Sequence, residues 1–157
     1  MKENERRPEV SVIIPVHNLE RYIDACLASV KAQTFGDFEA VVVDDGSTDG
    51  SLRLVRSRAE RDARIVVVAT PNRGVARARE TGLAKARGRY VCFLDGDDRW
   101  EPDMLRELVA AIGGYDIVCC DFKRVRASYG APLPISRRPC GNVARRISRN
   151  SGSSRRR

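Results

Sequence analysis

The 157-residue chain is 42% hydrophobic and 32% charged, the balance of one folded domain with a buried core. No apolar run reaches the ~18 to 20 residues of a membrane-spanning helix, and residues 1–9 are charged where a signal peptide would be apolar, so a cytoplasmic protein is expected, at most peripheral to the inner face of the membrane. The formal charge of +8 is concentrated at the end: ten arginines follow Lys123 and no Asp or Glu follows Asp121, so a mildly acidic domain carries a basic tail and nucleic acid is not the expected partner.

Residues 10–16, 39–44, 64–69, 90–94 and 116–120 are continuous apolar, β-branched runs that predict buried strands. Between the first two, Ile23, Cys26, Leu27 and Val30 share one helical face, and Leu52, Val55 and Ala59 do so after the second run, with Thr48 or Asp49 as cap. A third helix follows Gly74. Pro102 suits the first turn of a fourth, with Leu105, Leu108, Val109 and Ile112 pointing inward. Strands apolar on both faces and separated by helices imply a mostly parallel, doubly wound α/β sheet. The organisation read from this is a polar leader over 1–9, a domain over 10–123, and a basic tail over 124–157 that is expected to be disordered, since residues 127–157 are rich in Arg, Ser, Pro and Gly. Five cysteines without a Cys-x-x-Cys spacing read as small buried hydrophobes, not as a zinc site or disulfide framework.

In open α/β sheets ligands bind beyond the carboxyl ends of the strands. Three such loops are polar here: Pro15-Val16-His17-Asn18, Asp44-Asp45-Gly46-Ser47-Thr48-Asp49 and Asp95-Gly96-Asp97-Asp98. Carboxylates in two loops facing one crevice repel one another unless something positive lies between them. Asp95 and Asp97, with a glycine between, can turn toward one hard cation that keeps open positions for phosphate oxygens. The same loop read as an Asx-turn stays open at this point, as does a turn with a helix cap for Asp44-Asp45.

Val12-Ile13-Ile14-Pro15-Val16-His17-Asn18, Val43-Asp44-Asp45-Gly46-Ser47-Thr48-Asp49, Asn72-Arg73-Gly74 with Ala78-Arg79, and Gly88-Arg89-Tyr90 through Phe93-Leu94-Asp95-Gly96-Asp97-Asp98 together resemble the ordered signature of family 2 glycosyltransferases of the GT-A fold, a Rossmann-like doubly wound architecture. The resemblance implies a nucleoside-diphosphate sugar as donor, a UDP-sugar foremost. It implies Mn2+ or Mg2+ as cofactor, and inverting transfer to a hydroxyl of a glycan or lipid-linked acceptor in cell-envelope polysaccharide synthesis. By the same resemblance Pro15, Val16, His17, Asn18, Asp44, Asp45, Gly74, Arg79, Asp95 and Gly96 would bind the donor, and Asp95 and Asp97 the metal. Asp45 would accept a hydrogen bond from the base. Arg79 would support the donor pocket or be a solvated helix arginine, and His17, the one histidine, reads as a loop residue beside the donor, not a catalyst.

Two features depart from the family pattern. Glu80 stands where the family has Asn after the Ala-Arg pair. The family also continues past the Asp-x-Asp loop into an acceptor region with a carboxylate base, whereas here no acidic residue follows Asp121. The C-terminal part is therefore expected to be missing, through truncation or a frame shift, and transfer to need the missing half or a partner chain. The alternative class is a non-catalytic adaptor with a GT-A-like fold whose arginine tail binds nucleic acid or anionic membrane.

Overall fold

The structure, a computed structural model, describes residues 7–120. Its elements run β1 (Val10–Val16), α1 (Ile23–Lys31), β2 (Phe38–Asp45), α2 (Ser51–Ala59), β3 (Ile65–Thr70), α3 (Val75–Lys85), β4 (Tyr90–Phe93) and α4 (Met104–Ala111). The four strands form one parallel sheet in the order β3-β2-β1-β4. Right-handed crossovers then decide where the helices lie. The steps β1 to β2 and β2 to β3 move the same way across the sheet, which puts α1 and α2 on one face. From β3 the chain returns past β2 and β1 to the other edge, so α3 covers the opposite face. The sheet is doubly wound, as the sequence implies, and its winding reverses between β1 and β4.

Every residue of β1 and β2 is buried, which is why their middles, residues 12–16 and 40–43, read as unbroken apolar runs. Val41 and Val43 pack with Ala78 of α3 and with half-buried Val68. Small residues at Ala78 and Gly82 bring α3 close to the sheet: a Cβ on Gly82 would meet Ile13 Cγ2 at 2.4 Å. On α1 the stripe Ile23, Cys26, Leu27 and Val30 is fully buried, as its spacing predicts. Asp49, not Thr48, serves the start of α2, its Oδ1 accepting from Ser51 N at 2.9 Å.

The compact unit that ends at Leu105 contains the whole sheet. In α4 the expected inward face is realised fully at Leu105, whereas Leu108, Val109 and Ile112 are half-buried. Pro102 lies two residues before the helix instead of in its first turn. The fifth strand expected at 116–120 does not form. Only an isolated bridge occurs there, at Ile117, and Tyr115 and Ile117 are about half exposed. A run that is apolar on both faces becomes a strand only when layers cover both. Residues 121–123 and the expected tail over 124–157 lie outside the described residues.

At the amino ends of the strands one carboxylate gathers three segments. Glu39 of β2 accepts from Ser11 Oγ (2.7 Å), Arg87 N (2.7 Å) and Arg87 Nε (2.9 Å), while Ser11 Oγ accepts from Gly88 N (2.8 Å). Burial alone would raise the Glu39 carboxyl, but the hydrogen bonds from Ser11 and Arg87 and the guanidinium charge hold it below its ordinary 4.5. A carboxyl lowered in the folded state stabilises fully above its unfolded value, and that contribution is lost as pH falls through the folded value. Glu39→Gln should therefore cost about 2 kcal/mol at neutral pH and flatten the acid limb of stability below pH 4.5, which denaturant unfolding across a pH series would show.

Candidate active site

The winding reversal places the carboxyl ends of β1 and β4 side by side, and a crevice of about 350 Å3 opens there. Pro15, Val16, His17 and Leu19 form its β1 side, Asp45 its β2 side, Val75, Ala78 and Arg79 its α3 side, and Asp95, Gly96 and Asp97 its β4 side. A larger hollow of about 510 Å3 lies at the opposite end of the strands, beside Phe38, Glu39, Arg64 and Arg87. Of the charges there, Glu39 is matched by Arg87 and Arg64 by Asp62.

Three loops are tied into one wall. Asp44 and Asp45 are consecutive strand residues and so point to opposite faces. Asp45 faces α3, and its two oxygens accept from Arg73 N (2.9 Å) and Gly74 N (2.8 Å). Gly74, with φ +87°, turns its amide toward that carboxylate. Asp44, 2% exposed, turns the other way and accepts from Ser47 N at 3.2 Å, leaving its Oδ1 buried without a partner among the described residues. His17 Nδ1 donates to the Asp45 carbonyl oxygen (2.9 Å), which leaves Nε2 to accept from the amides of Asn72 (3.2 Å) and Asn18 (3.3 Å). Asn18, at φ +53°, accepts from Thr48 N at its side-chain oxygen (2.8 Å), and its backbone N–H donates to Ser47 Oγ (3.0 Å).

Of the residues singled out in the sequence, Pro15, Val16, His17, Asp45, Arg79, Asp95, Gly96 and Asp97 meet in the crevice. Asn18, Asp44 and Gly74 do not line it; they brace the wall from behind. Leu19, Val75 and Ala78 line it unforeseen. Val75 had a signal, an apolar residue at the first turn of a helix behind an Arg-Gly pair, and it is 53% exposed.

The acidic loop is packed against β1, for a Cβ on Gly96 would meet Leu19 Cδ1 at 2.8 Å and Pro15 O at 3.1 Å. Arg79 Nη2 donates to Asp95 Oδ1, and the Arg79 Nε–H is buried with no acceptor among the described residues. Asp97 is exposed, and its side chain makes no hydrogen bond or ion pair among the described residues. Partial burial, then the charges of Asp97 and Asp95, push the Asp98 carboxyl above its ordinary range. Burial, then the charges of Asp98, Asp97 and Asp95, push the Cys26 thiol beneath the loop up to about 12. Cys26 is thus a neutral thiol that donates to Asp95 O at 3.8 Å. No group of three or more metal-ligating side chains converges among the described residues. One or two carboxylates with substrate phosphates supplying the remaining oxygens is the usual holding of Mg2+, and Asp97 with Asp95 fits it.

The family model described as Glycosyl transferase family 2 matches residues 11–153. The chain belongs to glycosyl transferase family 2. It is 42% identical over 117 residues to the uncharacterized glycosyltransferase EpsJ of Bacillus subtilis, covering 73% of this chain and 34% of that protein. Two solved family-like structures place the same fold around a nucleotide sugar. S. aureus TarS 1–349 in complex with UDP-GlcNAc aligns with a TM-score of 0.68 and 32% identity over 80% of this chain and 37% of its own. The mannosyltransferase PcManGT from Pyrobaculum calidifontis in complex with GDP-Man and Mn2+ aligns with a TM-score of 0.69 and 33% identity over 76% of this chain and 37% of its own. The chain thus spans well under half the length of the relatives it matches.

Because both Asp45 oxygens hold backbone amides, Asp45→Ala should release residues 72–74 and lower stability by about 2 to 3 kcal/mol. Hydrogen exchange should show faster exchange at Arg73 and Gly74, and protection that survives the substitution would rule the tie out.

Proposed function

We propose that this chain forms the donor-binding part of a family 2 glycosyltransferase, holding a nucleoside-diphosphate sugar between the ends of β1 and β4 for inverting transfer to an acceptor hydroxyl. The observation that carries this reading is the charge balance of the crevice. Asp45, Asp95 and Asp97 line it against one arginine, and Arg79 is already paired with Asp95. A helix N-terminus is the usual cradle for phosphate in such folds, yet here the Asp45 carboxylate sits at the start of α3, bonded to the amides of Arg73 and Gly74 just before it. A diphosphate entering alone would meet net repulsion, so its natural companion is a divalent cation.

In this reading the backbone of Pro15 and Val16 lies against base and ribose. Asp45, fixed by two amides and touched at Oδ1 by the Thr70 hydroxyl, retains a lone pair on Oδ2 to receive an N–H of the base. Asp95 faces ribose and sugar, and its pairing with Arg79 orients it. The buried Arg79 Nε–H, short of an acceptor, is available to a ligand oxygen. Asp97, assisted by Asp95, holds Mn2+ or Mg2+. When bound, that ion neutralises charge developing on the departing diphosphate. No Asp or Glu follows Asp121, so the carboxylate that deprotonates the acceptor hydroxyl comes from polypeptide other than residues 122–157. The similarity to structures with UDP-GlcNAc and with GDP-Man and Mn2+ supports the donor class and leaves the choice of sugar open.

Calorimetric titration of UDP with manganese and with excess chelator tests the reading. Binding should be much tighter with the metal than in chelator, and Asp97→Ala should weaken the metal-dependent binding at least tenfold, or about 1.4 kcal/mol, with the unliganded melting temperature unchanged or raised by relief of like-charge repulsion. Equal affinity in chelator would contradict the metal role, and a large fall in melting temperature with unchanged affinity would make the loop a structural turn.

A further inference from the structure

The limb of chain that carries the acidic loop back toward α4 is fastened to α1 and to Gln33 and Thr34 just past its end. Trp100 N donates to Ser29 Oγ at 3.1 Å. Gln33 Nε2 donates to Glu101 O at 2.7 Å and Gln33 Oε1 accepts from Leu105 N at 2.9 Å. Thr34 N donates to Pro102 O at 2.9 Å, and Thr34 Oγ1 donates to Asp103 Oδ1 at 2.7 Å. On the outgoing limb Cys26, from the same helix, reaches Asp95 O. Residues 26, 29 and 33 fall at helical spacing, so one face of α1, continued past its end, reads the loop's backbone along its length.

Gln33 is the pivot of this contact. It is 7% exposed, and both ends of its amide are spent on the limb, with a further bond from Nε2 to Ser29 O at 3.2 Å. A buried amide satisfied at donor and acceptor fixes two backbone groups relative to each other, which an apolar side chain of equal size would not do. The loop so fixed holds Asp95, Asp97 and Asp98, whose charges would otherwise drive it open.

We propose that Gln33 is a positioning residue for the metal-holding carboxylates, setting the geometry of Asp95 and Asp97 through the return limb of their loop. This rests on the donor reading of the crevice. Gln33 touches neither nucleotide nor cation; it acts through the main chain of residues 101 and 105, as partners behind metal ligands commonly do.

Gln33→Met keeps volume and removes both bonds. In that variant the manganese affinity of the UDP complex should fall about 10- to 100-fold, while UDP binding in chelator, set by the loops after β1 and β2, stays as in the parent. Trp100, the one tryptophan, is a built-in reporter of the limb, and its fluorescence should become more accessible to acrylamide. Ser29→Ala, which removes the Trp100 anchor together with one hydroxyl bond to Cys26 O inside α1 and leaves the Gln33 bonds to the limb in place, should shift both readouts the same way and less, and serves if Gln33→Met does not fold. Parallel loss of metal-dependent and metal-free binding would make Gln33 an ordinary core residue and overturn the proposal. So would unchanged manganese affinity. A parent chain that shows no manganese-enhanced UDP binding would bring down the donor reading and this inference together, and it is told apart because it arises before any substitution is made.

Discussion

Two buried carboxylates on one strand hold the whole arrangement. Glu39 and Asp45 stand at the two ends of β2 on the same face, 3% exposed each. Glu39 takes the chain just after α3, through Arg87, and Asp45 takes it just before, through Arg73 and Gly74. The strand between the carboxylates is about 20 Å long at ~3.3 Å per residue, and the stretch from Gly74 to Arg87 spans about the same at 1.5 Å per helical residue. The helix is clamped across β2 at both ends, and Ala78 and Gly82 let it settle against the sheet. Arg79 then emerges beside the end of β4, where it meets Asp95.

The clamp has a chemical consequence. By accepting from the amides of Arg73 and Gly74 just before α3, Asp45 puts a negative charge at the βα turn where an anion would otherwise dock. The crevice that remains is acidic, and its free positive charge is small. Architecture alone would place a ligand at the winding reversal; in the proposed function the particular residues there take a nucleotide that brings a cation. Membership of glycosyl transferase family 2 and the likeness to structures containing UDP-GlcNAc or GDP-Man with Mn2+ agree with that demand.

Much of this was legible because burial on both faces leaves an unmistakable mark. β1 occupies the expected residues, and β2 exceeds its expected range by one residue at either end. The stripe on α1 is read from spacing alone. Less was legible where neighbours decide. The apolar run at 116–120 looks like the other strands, yet Ile117 is 47% exposed and makes a single bridge. Asp44 and Asp45 look equivalent in sequence, and only the strand's alternation separates a turn-bracing residue from a crevice residue. Gln33 carried no signal, since a polar residue after a helix is ordinarily solvated; its burial comes from a segment some seventy positions later in the chain.

The central claim is that a metal–nucleotide pair occupies the crevice between β1 and β4, and paramagnetic broadening tests it most directly. With manganese and UDP added to 15N-labelled chain, the amide signals of His17, Arg79 and Asp95 through Asp98 should be broadened away. Those of Phe38, Arg64 and Arg87, around the hollow at the other end of the strands, should remain sharp. Broadening centred on Phe38, Arg64 and Arg87, or none that depends on UDP, would contradict the account.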